Sequence, residues 1–398
     1  MKAKVLILTA GFGEGHNAAA RALAAACDDA CGKGTARIVD AFAEASPRWN
    51  ALLRKFYLML INRLPAVWSL AYGWLDRSPL TPRLLQFLRG EQRALARMMA
   101  EEPPAVVCST YPVYGFMLET LARRGMVLPP HAVVVTDSIS INSLWWRGRC
   151  DQWFLPNRDS AEVLEQAGVP PERLHVLGFP VNPVFAGTRD IPIRPDLQTG
   201  ARPRILYIIN SRTRHALATA RSLLRNSDWE VTCAVGRNEA LQAELSALAL
   251  KRAAPTRILG WTDEIPRLLR SHHVLISKAG GATTQEALAA GCPMIVNEIV
   301  PGQEEGNYEL LRRHGIGAFA GTPERVLAEL ARAFAGGGAV WWQWRRAVET
   351  VSRPFAARDI AAHLLAMASA DGVTVSGANG SKESDSGQPA VGVRRVLR

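Results

Sequence analysis

Two stretches of this 398-residue chain hold residue types that could do chemistry at spacings that would let them cooperate. The first is Gly11-Phe-Gly-Glu-Gly-His16, which follows the short apolar run Val5–Thr9. Behind it, Ala18, Ala19, Ala22, Leu23 and Ala26 repeat at helical spacing. Glycines such as Gly13 and Gly15 let backbone approach a ligand at a helix N-terminus, where free N–H groups and the helix dipole favour anions. His16 falls where the strand opens into a crevice, a place suited to a general base. A histidine there could equally cap or pack on the helix. The glycine spacing is GxGxG, unlike the GxGxxG of dinucleotide-binding turns.

The second stretch runs from Ser277 to Gly291 and carries more signal. A strand leads through Lys278 into Gly280-Gly281, and Thr283 and Thr284 open a helix that carries Glu286. Such a turn offers bare N–H groups and hydroxyls to phosphate, and a carboxylate further along can accept from both hydroxyls of a ribose. After the next strand comes Pro301-Gly-Gln-Glu-Glu-Gly-Asn307, where Gln303 and Glu304 could make paired hydrogen bonds to sugar hydroxyls. As a bare loop it also reads as a solvated turn.

Turns of this kind need strands and helices to hold them. Ala36–Asp40, Ala105–Ser109, Ala132–Asp137, Gln152–Pro156 and Leu174–Gly178 read as further strands of a first parallel sheet. Prolines at 180, 183, 192, 195 and 203 mark a linker, taken as 189–203. A second βα series then runs through Arg204–Ile209, Trp229–Cys233, Arg257–Gly260, Val274–Ser277 and Pro293–Val296. The expectation is an α/β chain of two doubly wound, Rossmann-like domains facing each other across a cleft. The first would span 1–188 and the second 204–345. A helix over 346–368 is expected to cross back to the first domain, and the Ser/Gly-rich 369–398 to be a disordered tail.

The net charge of +11 suggests an anionic partner, and composition alone leaves nucleic acid, membrane surface and phosphorylated ligand open. The six cysteines include no CxxC pair and no cluster with zinc spacing, so no metal site is expected and a reduced, cytosolic protein is. Cys27 and Cys31 share a helix face and are expected to be small buried residues. The N-terminal apolar run is too short for a signal peptide, and Phe56–Leu75 is broken by Arg63 and Pro65, so any membrane role is expected to be peripheral.

Residues 46–90 point to such a role. Arg48, Arg54, Lys55, Arg63, Arg77, Arg83 and Arg89 stand against Asp76 alone. They are interleaved with Trp49, Phe56, Tyr57, Trp68, Tyr72, Trp74 and Phe87, the pattern of an interfacial segment for anionic lipid. An ordinary pair of core helices would also fit. Nucleic acid is not expected, since no recognised DNA- or RNA-binding motif accompanies the charge.

Taken together, the sequence resembles the glycosyltransferase family 28 group of monogalactosyldiacylglycerol synthases and processive diacylglycerol glucosyltransferases. The matching stretches are GFGEGHNAAARAL (11–23), VVVTDSISINSLWW (133–146), GFPVNPVF (178–185), GWTDEIPRLL (260–269) and SKAGGATTQEALAAGCPMIVNEIVPGQEEGN (277–307). The resemblance implies a GT-B fold and an inverting, metal-independent transfer of glucose or galactose from a UDP-sugar to diacylglycerol or a related lipid. The donor is then a substrate and no cofactor is needed. It implies His16 as the base beside the acceptor, with Gly13, Gly15 and Asp137 on the acceptor side. On the donor side it implies Gly280, Gly281 and Thr283 at the diphosphate, Glu286 at the ribose, and Gln303 and Glu304 at the sugar. Trp261 would line the uracil pocket and Lys278 would face the leaving diphosphate. The protein is accordingly expected to work at the inner face of a membrane, peripherally bound to an anionic surface.

Three places depart from the family pattern. Asn210-Ser-Arg-Thr-Arg214 stands where a glycine-rich loop opens the second domain, Asn142 replaces a histidine, and the tail has no counterpart. Two alternatives stay open: a transferase of the same fold acting on a polyprenyl-linked or soluble acceptor, and a catalytically silent relative that binds nucleotide sugar.

Overall fold

The computed structural model describes residues 4–375 apart from 65–66, 68–69, 71–72, 75, 86, 188–193, 211–214 and 303. Six strands make a first parallel sheet: β1 (Val5–Leu8), β2 (Ala36–Val39), β3 (Val106–Ser109), β4 (His131–Val134), β5 (Gln152–Leu155) and β6 (Leu174–Val176), in the order β2-β1-β3-β4-β5-β6. Six more make a second: β7 (Arg204–Ile208), β8 (Glu230–Ala234), β9 (Thr256–Leu259), β10 (Val274–Lys278), β11 (Met294–Glu298) and β12 (Ala318–Phe319), in the order β12-β11-β10-β7-β8-β9. Strand order therefore reverses between β1 and β3 in the first sheet and between β7 and β10 in the second. Open parallel sheets bind ligands at such points, beyond the C-terminal ends of the strands.

The apolar runs explain the layering. Side chains alternate across a strand, so a run without polar breaks must be covered on both faces. In β1, Val5 and Ile7 pack with Leu23, Phe154, Ile360 and Leu364, while Leu6 and Leu8 pack with Leu95, Tyr114 and Met117. In the second sheet Ile205 and Ile276 join Trp341 and Trp344 on one face, and Leu206 and Leu275 join Leu288 and Leu311 on the other.

Three details differ from the sequence reading. β12 is two residues long and went unseen, because a pair of residues shows no periodicity. Gly317 ahead of it lies so close to β11 that a Cβ there would meet the Met294 carbonyl at 1.7 Å. At the C-terminal end, the helix Pro323–Val351, interrupted at 335–338, runs past 345, and the helix Ala356–Val375 runs past 369. Ala357, Ile360, Ala361 and Leu364 of that last helix pack on the first sheet, with Met367 and Ala368 partly buried behind them. Cys31 is exposed at the last position of its helix, one turn beyond Cys27, the last buried residue of that helix. Among the described residues, no helix is long and apolar enough to cross a membrane.

Candidate active site

The first glycine turn ends β1 and starts helix α1 (Glu14–Cys31), with Gly13 at its N-cap. Asp40 fastens it: Oδ2 accepts from Gly11 N at 2.9 Å, while Oδ1 caps the helix Ala41–Ala45. His16 then points back across the switch point, its Nδ1 2.8 Å from the Thr110 carbonyl just beyond β3 and 2.9 Å from Thr136 Oγ1 beyond β4. A carbonyl can only accept, so Nδ1 carries the proton and Nε2 keeps its lone pair. Burial lowers the imidazole pKa to about 4, against the opposing pull of the Thr110 carbonyl, and the ring stays neutral at physiological pH. Burial is the cause of that shift, which completes a neutrality that an ordinary imidazole already has in large part.

Aromatic rings wall the same spot. Tyr111 meets His16 edge-on with centroids 5.1 Å apart, Trp145 lies 6.0 Å away, and Phe12 stacks on Tyr111 at 6.0 Å. Gly13 keeps the ring accessible, since a Cβ there would sit 3.3 Å from His16 Cδ2. Asp137 accepts from Trp145 Nε1 at 2.7 Å, and burial raises its carboxyl to about 6 despite that hydrogen bond. Asn142 is buried in the adjacent turn, where its Oδ1 accepts from Leu144 N at 3.1 Å.

The second turn leaves β10 at Lys278, and Gly280 N-caps the helix Gly281–Ala289 without a side-chain cap. Asn210, at the end of β7, reaches Ser277 Oγ at 3.2 Å, which marks the switch point of this sheet. The residues 211–214 of that loop lie outside the described residues. Thr283 and Glu286 are half-buried, and burial raises the Glu286 carboxyl to about 7, opposed by Arg21 and reinforced by Glu14 across the cleft. Lys278 and Glu304 form an ion pair beside Gly280; Glu304 is buried and also accepts from Val300 N at 3.0 Å. The ammonium at this turn is thus already partnered, and Gln303 lies outside the described residues.

Beyond the C-terminal ends of β7, β8 and β9 a cavity of about 870 Å³ is lined by Ile208, Asn210, Gly236, Gly260, Trp261 and, from the first half, Glu14, while Lys278, Gly280, Gly281, Thr283, Glu286 and Glu304 lie outside that lining. Trp261 is 69% exposed and forms part of its wall. The halves are in contact here. A Cβ on Gly15 would be 3.9 Å from Ala282 N, Gln285 Nε2 donates to Ser138 Oγ at 3.2 Å, and Asp159 pairs with Arg313 and His314. Glu14 lies in the cavity lining and His16 outside it, and the approach of Gly15 to Ala282 brings the two glycine turns together. Glu14, Thr110, Tyr111, Thr136 and Ser138 are site residues that the sequence reading did not find. Only their places just after strand ends could have flagged them.

The helix Pro47–Arg63 and the segments after it expose Leu52, Phe56, Leu70, Trp74, Leu84 and Phe87, the last by 71%. Arg48, Arg54, Lys55, Arg77, Arg83 and Arg89 are exposed among them. Asp76 is turned inward and accepts from Ser143 N, fixing this region beside Trp145. Trp68 and Tyr72, and the side chains of Trp49, Tyr57 and Arg63, lie outside the described residues.

Residues 16–181 match the model of the monogalactosyldiacylglycerol (MGDG) synthase family, and residues 211–313 match that of the glycosyltransferase family 28 C-terminal domain. A processive diacylglycerol beta-glucosyltransferase of Bacillus subtilis is 25% identical over 328 residues, covering 81% of this chain and 85% of that protein. The chloroplastic monogalactosyldiacylglycerol synthase of Spinacia oleracea is 26% identical over 351 residues, covering 83% of this chain and 66% of the relative. Among solved structures, MurG of Acinetobacter baumannii superposes with a TM-score of 0.58 at 13% identity, covering 91% of this chain and 99% of that one. Os79 of O. sativa, solved in complex with UDP, does so with a TM-score of 0.58 at 12% identity, covering 91% and 100%. Both likenesses speak for the fold, two Rossmann-like halves in the GT-B arrangement.

Proposed function

Since the chain belongs to the glycosyltransferase family 28 group with the monogalactosyldiacylglycerol synthases and processive diacylglycerol glucosyltransferases, we propose that it transfers glucose or galactose from a UDP-sugar to a diacylglycerol-type lipid. The transfer takes place at an anionic membrane surface and inverts the anomeric centre. The observation that carries this reading is a half-buried, neutral His16 facing, across the contact between the halves, a glycine turn that has no side-chain cap.

The chemistry follows from those two parts. His16 Nε2 takes the proton of the acceptor hydroxyl as its oxygen attacks the anomeric carbon from the face opposite the diphosphate. The bond from that carbon to the phosphate oxygen breaks, and UDP leaves with the electron pair. Its new charge falls at the N-terminus of the Gly281 helix, where backbone N–H groups and the dipole stabilise an anion without a metal. Glu286 accepts from the ribose hydroxyls, Trp261 lies along the uracil, and Thr283 and Glu304 border the diphosphate and sugar, where the resemblance also gives Gln303 a role. Lys278 is shared between Glu304 and the phosphates. No cofactor is required beyond the donor substrate. The exposed apolar and basic side chains of 52–89 hold the acceptor side at the lipid surface.

The test is incubation of the purified full chain with detergent-dispersed diacylglycerol and a panel of nucleotide sugars, followed by mass spectrometry of the lipids. Hexosyl-diacylglycerol formed from UDP-glucose or UDP-galactose, undiminished by EDTA, is the expected product. Transfer only to a polyprenyl-linked or soluble acceptor, or dependence on a divalent ion, would contradict the reading.

A further inference from the structure

One short segment touches both halves of the cleft. It is Thr136–Ser140, which follows β4 in the first half. Thr136 Oγ1 lies 2.9 Å from His16 Nδ1, while the Thr136 carbonyl lies 3.4 Å from where a Cβ on Gly281 would be. Asp137 holds Trp145, whose ring is 6.0 Å from that of His16. Ser138 Oγ takes a hydrogen bond from Gln285, the neighbour of Glu286, at 3.2 Å, and Asn157 Nδ2 is 3.4 Å away.

The fit against the second half leaves no slack. A Cβ on Gly306 would fall 1.8 Å from the Ser138 carbonyl and 2.6 Å from Ser140 N, so only glycine allows this approach. Ile139 stands at φ 56°, in a tight turn closed by Ser140 N donating to the Ser138 carbonyl at 2.6 Å. A β-branched residue in that region is an outlier, and it persists where surrounding contacts over-determine it. Those contacts come from both sides: Ile139 N donates to Ser160 Oγ at 3.2 Å, and the Ile139 side chain packs on the core of the second half.

We propose that Thr136–Ser140 is a positioning bridge that couples closure of the donor half to the orientation of the acceptor base, with Thr136 and Ser138 as its positioning residues and Gly306 as the clearance it needs. Thr136 is the centre of the bridge, because one residue approaches the base with its side chain and the second glycine turn with its carbonyl. When the second half seats on Ser138, the segment is drawn into its strained turn and Thr136 is fixed against His16 Nδ1. The Nε2 lone pair is then aimed at the acceptor only in the closed molecule. This coupling rests on the reading of His16 as the base.

The experiment uses the full chain and four variants: Thr136→Val, Thr136→Ser, Gly306→Ala and His16→Ala. Turnover, UDP affinity by calorimetry and melting temperature are measured for each. Thr136→Val is expected to lose about ten-fold in kcat, the scale of one orienting hydrogen bond, with donor KM and UDP affinity little changed. Thr136→Ser, which keeps the hydroxyl, recovers most of that loss. Gly306→Ala is expected to lose about a hundred-fold in kcat, as a displacement near 1 Å would cause, again with UDP affinity kept. If Gly306→Ala fails to fold, the Thr136 pair decides alone. Loss of turnover in His16→Ala with parental kcat in Thr136→Val overturns the bridge and leaves the base standing. Parental turnover in His16→Ala overturns the base and the bridge with it.

Discussion

Both halves carry a glycine turn where their parallel sheet reverses strand order, yet the two turns are finished differently. In the first, His16 is packed under Tyr111 and Trp145 and is fixed through Nδ1 by two oxygen atoms of the same half. In the second, Gly280 and Gly281 stand at a helix end with no side-chain cap, with Glu286 on the same helix and Lys278 held by Glu304. On the proposed reading, the same backbone device presents a preorganised base on one side and a seat for an exchangeable anion on the other. Burial shifts a titrating group in each, to opposite ends. It keeps the histidine neutral far below physiological pH, and it brings the glutamate close to neutral pH.

In binding, the largest effect expected concerns the membrane. Phe56, Trp74 and Phe87 are exposed in the first half. Replacing all three by Ser removes side chains worth up to roughly 1.5–3 kcal/mol each when buried in an apolar phase, so vesicle binding should fall by about a hundred-fold or more. Trp261→Ser, an exposed tryptophan of the second half, should leave vesicle binding intact and weaken UDP instead. Sedimentation with anionic vesicles separates the two. Equal losses from both halves would erase the comparison.

Next in size is Glu286→Ala. Loss of a charge-assisted hydrogen bond to ribose should cost roughly 1.5–3 kcal/mol, or at least about ten-fold in UDP affinity by calorimetry. EDTA should change nothing. Unaltered affinity would move the ribose elsewhere in the cleft.

The smallest effect sharpens the same site. Glu286 has its pKa raised to about 7, so its accepting carboxylate form is gained as pH rises through 7 and lost as pH falls through it. The advantage of the parent over Glu286→Gln in UDP affinity should therefore grow between pH 6 and pH 8, by about ten-fold at most. Comparing parent with variant cancels the titration of the phosphate. A ratio that stays flat, or grows toward acid pH, would mean that the carboxylate is not what the nucleotide meets.

Much of this was legible in the residues. Eleven strands could be read in the sequence, the central ones as apolar runs because strands buried on both faces exclude polar breaks, whereas the edge strands β2, β6 and β9 are only partly buried. The glycine turns and Glu286 stood out because few other residue types permit that backbone or that charge. The rest depended on distance in space. Nothing in the spacing of Thr110 and Thr136 tells that both end at one imidazole, 94 and 120 residues away in sequence. The pairing of Lys278 with Glu304 was equally hidden, although both residues had been singled out. The clearance at Gly306 was invisible for a different reason, since it is set by the carbonyl of the opposing half.

The most direct test of the division of labour is His16→Ala, with turnover and UDP affinity measured on the same preparation. General-base loss should lower kcat by roughly 10²–10⁴, while UDP, whose proposed contacts lie across the cleft, binds as it does to the parent. Turnover that survives would make His16 structural and move the search to Asp137, its carboxyl raised to about 6 by burial in the same half. Donor affinity that falls in step with turnover would show that the two turns do not divide the work at all.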